Sequence, residues 1–164
     1  MPGSIVGGVV FALIALAGPQ SPSPAAPAPP DDPWAGRWSI SETTREGQRV
    51  LVRRNATAAS LAGDPRFPER VRIVVPLPRG ADYTAAEDVN RIETLLIDAL
   101  ERDRRALEVL VLTTDAKREF VFYTADAARA VRVVAEQNPK AAPYELQVQA
   151  ERDEQWQLFA SFAP

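Results

Sequence analysis

One stretch constrains the fold more than any other: Leu107–Asp126, reading LEVLVLTTDAKREFVFYTAD. Two runs of alternating apolar residues flank a short polar turn. In the first run Leu107, Val109 and Val111 fall on one face, and Leu110 and Leu112 on the other. In the second, Phe120 and Phe122 stand against Val121 and Tyr123. Side chains of a strand alternate between faces, so a hairpin that is apolar on both sides has to be buried on both. A single layer of helices does not suffice. Leu107–Thr114 also falls at a sheet edge in the simplest arrangement, and edges need cover. The available covers are a hairpin at Trp38–Arg54 and a C-terminal helix carrying Trp156.

The rest of the chain arranges itself about this hairpin. Trp38–Thr44 and Arg49–Arg54 read as two strands joined at Glu46-Gly47. Ala56–Arg70 carries Gly63, Pro65 and Pro68 and reads as loop, with room for a helical turn at Thr57–Leu61. Val71–Leu77 is a strand ended by Pro76, Pro78 and Gly80. Thr84-Ala-Ala-Glu87 is a capping box. It opens a helix whose stripe is Val89, Ile92, Leu96 and Ala99, expected to run to about Arg104. After the central hairpin, Thr124 is placed to cap a second helix with Ala127, Val131 and Val134 on its stripe. Tyr144–Ala150 alternates as a strand. Asp153-Glu-Gln-Trp156-Gln-Leu-Phe159-Ala-Ser-Phe162 then reads as a short amphipathic helix capped by Asp153.

From Val71 the order is β-α-β-β-α-β. This is the ferredoxin-like, split βαβ plan of an α+β fold, here with an added N-terminal β-hairpin and a short C-terminal helix. Right-handed crossovers leave few other compact arrangements. The Val71 and Glu119 strands are expected at the centre, flanked by those at Leu107 and Tyr144.

Upstream, Ser4–Ala17 is apolar and uncharged. It is shorter than the roughly 20 residues a spanning helix needs. Ala15-Leu16-Ala17 supplies a small-x-small cleavage pattern, so residues 1–17 are expected to be a signal peptide cut before Gly18. The alternative is an inner-membrane anchor formed by residues 4–17. Residues 18–33 are rich in Pro and Ala and form an extended tether, leaving 34–164 as a single α+β domain.

The chain has 164 residues, no cysteine, no histidine and a net charge of −3. Without cysteine there is no disulfide, thiol nucleophile or thiolate metal site. Without histidine the usual serine triad and the commonest base near neutral pH are missing. The only lysines are Lys117 and Lys140. No glycine follows Gly80, so no glycine-rich phosphate loop lies in the second half. Basic residues are interspersed with acids, which argues against nucleic-acid binding. No cofactor is expected.

Arg118-Glu-Phe-Val-Phe-Tyr123-Thr-Ala-Asp126 and Asp153-x-x-Trp156-x-x-Phe159-x-x-Phe162 resemble a bacterial family filed as domain of unknown function six-nine-five. The resemblance covers roughly Trp38–Phe162. This chain has Ala116-Lys117 where the family tends to have Gly, and Phe159 where it tends to have Tyr. The resemblance implies fold continuity and no established activity. Some relatives are joined to a domain similar to a regulator of ribonuclease E, which implies a role in RNA turnover as one alternative.

Five residues are candidates for binding. Arg118, Tyr123 and Asp126 could grip a carboxylate or phosphate; each also has an ordinary role as turn arginine, sheet tyrosine and first-turn aspartate. Asp153 and Trp156 could form a surface, or a capped aromatic stripe that pins the terminus. Glu151, Asp153 and Glu154 lack the ligand spacing of a calcium loop, and Glu87 is taken by the capping box. We expect an exported, periplasmic or secreted bacterial domain that binds another protein, or itself, without catalysis. The rival is a carboxylate-dependent hydrolase or small-ligand enzyme converging on Asp126, Arg118 or Glu119. Membrane contact is expected only if the N-terminal segment is uncleaved.

Overall fold

A computed structural model describes residues 32–78, 80 and 83–163. The apolar segment 4–17, the tether apart from Asp32 and Pro33, and the Thr84 side chain of the expected capping box lie outside the described residues. The strands are β1 (Trp38–Arg45), β2 (Gln48–Asn55), β3 (Glu69–Pro76), β4 (Ala106–Thr113), β5 (Lys117–Thr124) and β6 (Gln147–Arg152). The helices are α1 (Tyr83–Leu100), α2 (Ala127–Gln137) and α3 (Gln157–Ala160), with 3-10 turns at Ala56–Leu61 and Asn138–Ala141. Together they make a mixed fold of helices and one six-stranded antiparallel sheet, ordered β1-β2-β4-β5-β3-β6. Among the described residues no helix is long and apolar enough to cross a membrane.

Both faces of the central hairpin are buried. On one face Val71, Ile73, Val75, Val111, Phe120 and Phe122 pack under α1 and α2. On the other, Leu107, Leu110, Leu112, Val121 and Tyr123 pack with Val52, Ala58, Phe67, Trp156 and Phe159. The two covers divide the work. The β1–β2 hairpin extends the sheet, pairing β2 with β4 (Leu51↔Thr113 to Arg54↔Leu110), so β4 is not an edge. The face is covered instead by the C-terminal segment together with Ala58 and Phe67, which come from the stretch read as loop. Glu46 and Gly47 both take positive φ, as a two-residue turn that matches the strand twist requires.

Strict alternation misplaces part of β4. The β4–β5 register slips between Glu108 and Leu110, leaving Val109 without a partner on β5. Such a bulge shifts the phase by one residue. Leu107, Val109, Leu110 and Leu112 therefore share the second face, and Val111 alone of the apolar set joins the helix side. Other boundaries move for local reasons. α1 stops at Leu100, because the chain reverses through a left-handed Arg104 to enter β4. β6 begins at Gln147 rather than Tyr144, because the Leu146 N–H is held by Asn138 Oδ1. The cap of α2 is Asp126, whose Oδ1 accepts the Arg129 N–H at 2.8 Å. Thr124 ends β5 and bonds the Asp126 N–H and the Arg105 carbonyl instead.

The two covered faces carry a stability prediction. Leu110 is fully buried and Ile40 is 69% exposed. Leu110→Ala should cost about 2–5 kcal/mol, and Ile40→Ala less than about 0.5 kcal/mol. Urea unfolding followed by tryptophan fluorescence measures both; equal effects would contradict burial of the second face.

Candidate functional site

Three of the five residues singled out by sequence, Tyr123, Asp153 and Trp156, come together on the second face. Arg70 of β3, Tyr123 of β5 and Asp153 after β6 converge although Tyr123 and Asp153 are 30 positions apart. Asp153 Oδ2 accepts from Tyr123 Oη at 2.7 Å and from Arg70 NH1 at 2.9 Å. Its oxygens also accept the Gln157 and Leu158 N–H groups, and Arg70 forms a further ion pair with Glu151. Burial acts to raise the Asp153 pKa, but these donors outweigh it and hold the carboxyl below its ordinary value. The Tyr123 hydroxyl is pushed up by burial and by its bond to Asp153.

Trp156 locks this cluster. Its ring stacks on Tyr123 with centroids 4.1 Å apart, meets Phe159 edge-on, and donates Nε1–H to the Phe67 carbonyl. It is not in the expected helix. α3 spans only Gln157–Ala160, and Trp156 precedes it in a left-handed conformation at φ 53°. A non-glycine residue pays about 1–2 kcal/mol there, offset here by full burial of the indole. Four donors on one carboxylate and a fully buried ring describe a pin that fixes the C-terminus.

Arg118 and Asp126 lie elsewhere. Arg118 projects to the helix side, bonded to Thr113 Oγ1 (3.1 Å) and Asn90 Oδ1 (2.8 Å). Glu119 turns to the opposite face, where Arg72 and Lys117 bind it. Asp126 is occupied as the α2 cap at the far end of β5. Arg118, Glu119 and Asp126 thus do not converge as an acid–base site. Among the described residues no group of carboxylates is arranged to hold a metal ion.

A second cluster, outside the five candidates, lies on the helix side of the sheet. The β4 bulge follows Glu108, whose side chain turns toward α1. Glu108 is 2% exposed, and neither carboxyl oxygen has a hydrogen-bond partner among the described residues. Burial, then the nearby charges of Glu93 and Glu101, push its pKa well up, against the opposing pull of Arg53. Glu101 accepts the Glu108 N–H at 2.6 Å, yet burial still raises its pKa to about 7. Glu93 is matched by Arg53. The signal for this cluster was present: one carboxylate set inside the apolar run LEVLVL.

Two predictions follow the two clusters. Tyr123→Phe removes one of the Asp153 donors and should cost about 1–2 kcal/mol; no loss in urea unfolding would show that the pin holds without the hydroxyl. Glu108 holds its proton more tightly folded than unfolded, so its contribution to stability is full below its unfolded pKa and falls as pH rises. Glu101 adds a loss of the same sign between about 4.5 and about 7. Glu108→Met should therefore stabilise the protein by about 1–3 kcal/mol at pH 8, with the gain shrinking toward pH 5. A gain that stays constant with pH would contradict a buried, proton-holding Glu108.

No match emerges among curated proteins or among solved structures. A family model matches residues 36–163, which take in both clusters and every strand of the sheet. The chain accordingly belongs to DUF695, a family of unknown function.

Proposed function

We propose that this domain is a non-catalytic binding module that takes an extended segment of a partner protein as an added strand along β1. The observation carrying this is the state of β1. Among the described residues it pairs with β2 alone, through eight consecutive residue pairs without a bulge, and six of its eight residues are exposed. Outer strands are usually protected by bulges, prolines or lysines; β1, reading WSISETTR, carries none of these. Ile40 on β1 and Leu51 on β2 are the large apolar side chains left exposed among the described residues. An added strand gains main-chain hydrogen bonds, and alternate side chains supply selectivity. The partner segment we expect is extended, with an apolar residue opposite Ile40. The other outer strand, β6, ends in Glu151 and Arg152, both held in ion pairs.

The same proposal keeps the export expectation: residues 1–17 as a cleaved signal, 18–33 as a tether, and the domain in the bacterial envelope. The apolar run and Ala15-Leu16-Ala17 support it. A mature N-terminus at Gly18 is the expected result of N-terminal sequencing, and a retained Met1 sinks it. We also assign β3-α1-β4-β5-α2-β6 to the ferredoxin-like plan. In support, β3 and β5 sit at the centre, β4 and β6 flank them, and both helices contribute to one core.

The binding proposal is tested with peptides selected from a displayed library. On binding, amide hydrogen exchange should slow across residues 39–44. Ile40→Lys should weaken binding about ten-fold or more, equivalent to about 1.4 kcal/mol, while Gln149→Lys on β6 should not. Protection elsewhere, or indifference to Ile40→Lys, rejects β1 as the docking strand. A dimer in sedimentation equilibrium that Ile40→Lys breaks would replace the partner by a second copy.

A further inference from the structure

The helix side of the sheet holds a charge that forms no ion pair among the described residues. Registers place Glu42, Leu51, Thr113, Arg118 and Val75 in one row across five strands. Where α1 starts above this row, a groove of about 510 Å³ opens, within the roughly 300–1,000 Å³ of small-ligand sites. Leu77, Ala85, Ala86 and Val89 give it apolar walls, and Arg118 lies among its lining residues.

Arg118 is half-buried and makes no ion pair among the described residues. Its neighbours on the sheet differ: Arg53 pairs with Glu93, Arg72 with Glu119, and Arg70 with Asp153. A guanidinium carries five N–H donors. Nε and NH1 each give one, to Thr113 and Asn90, both neutral acceptors. The remaining three have no acceptor among the described residues. The two bonds hold the guanidinium in place, so a ligand meets it already oriented. Burial pushes the Arg118 pKa down, the Glu93 charge opposes this and Arg53 reinforces it; an arginine stays cationic at neutral pH all the same. Asp115 also lines the groove, and its charge disfavours a dianion such as phosphate relative to a monoanion.

We propose that this groove binds a carboxylate carried on a short apolar body, with Arg118 meeting the carboxylate and Leu77, Ala85 and Val89 packing the body. The site is separate from the β1 edge and does not depend on strand addition there. Such a carboxylate belongs either to a free small acid or to the C-terminus of a peptide. Arginine suits both, because its planar fork matches a carboxylate.

The test uses the full chain and four probes: 4-methylvalerate, its amide, acetyl-Ala-Ala-Leu with a free C-terminus, and the same peptide amidated. Binding is followed through the Arg118 side-chain Nε–H and the backbone amides of Thr113 and Val89 in NMR spectra. At least one acid should shift these signals at or below about 10 mM, and its amide should bind about ten-fold or more weakly. Arg118→Gln should lose the discrimination between acid and amide, and Arg118→Lys should keep part of it. Ala86→Phe, which fills the groove and leaves Arg118 in place, should weaken both forms of the probe. A tighter peptide acid identifies a chain terminus as the ligand, and a tighter free acid identifies a small molecule. Equal binding of acid and amide, shifts confined to other residues, or no shift with any probe overturns the proposal.

Discussion

The structure depends on one constraint: the β4–β5 pair is apolar on both sides and therefore needs two covers. Helices α1 and α2 supply the first, and their stripes meet Phe120, Phe122 and the β3 side chains. The second is assembled from segments distant in sequence, namely Ala58 and Phe67 before β3 and Trp156 and Phe159 at the C-terminus. Apolar surface is stabilising only when removed from water, at roughly 25 cal/mol per Å². The β1–β2 hairpin solves a different problem, the unpaired backbone of β4, by hydrogen bonding to it.

The C-terminal cover carries little secondary structure of its own. α3 has four residues, too few for helix propensity to hold it in place. What holds it is Asp153, which accepts hydrogen bonds from two different strands and from the two backbone N–H groups that start α3. Trp156 then fills the space above Tyr123. Arg54 and Arg45 lie over the rings of Phe159 and Phe162 at 3.9 Å, adding cation–π contacts at the rim. The family resemblance rests on this segment together with Arg118–Asp126. Asp153 and Trp156 are the parts of the pattern that make these contacts, and Phe159 meets the Trp156 ring edge-on.

A cost is left on the opposite side. Glu108 is buried by the bulge with no hydrogen-bond partner for its carboxyl among the described residues, near Glu93 of α1 and Glu101 just after that helix. Unmatched buried carboxyls are held by becoming neutral rather than by staying charged, which is the direction both Glu108 and Glu101 take. Glu108 also offers its carbonyl to Asn55 Nδ2, which bonds the Pro33 carbonyl as well. Together with the Trp34 Nε1–H bond to Ala106, this ties the start of the described chain to β4.

The sequence by itself determined the element types, the two-sided burial of Leu107–Thr124 and the structural weight of Tyr123, Asp153 and Trp156. Alternation, caps and turn residues act over a few positions, so they can be read from a few positions. Only the tertiary structure decided which segment covers which face, the bulge at Val109 and the left-handed Trp156. It also decided that Arg118 forms no ion pair among the described residues. Each of these depends on groups brought together across tens of residues. Glu108 shows the limit most clearly: its spacing marks it as an oddity in an apolar strand, but its missing partner is a property of the space around it.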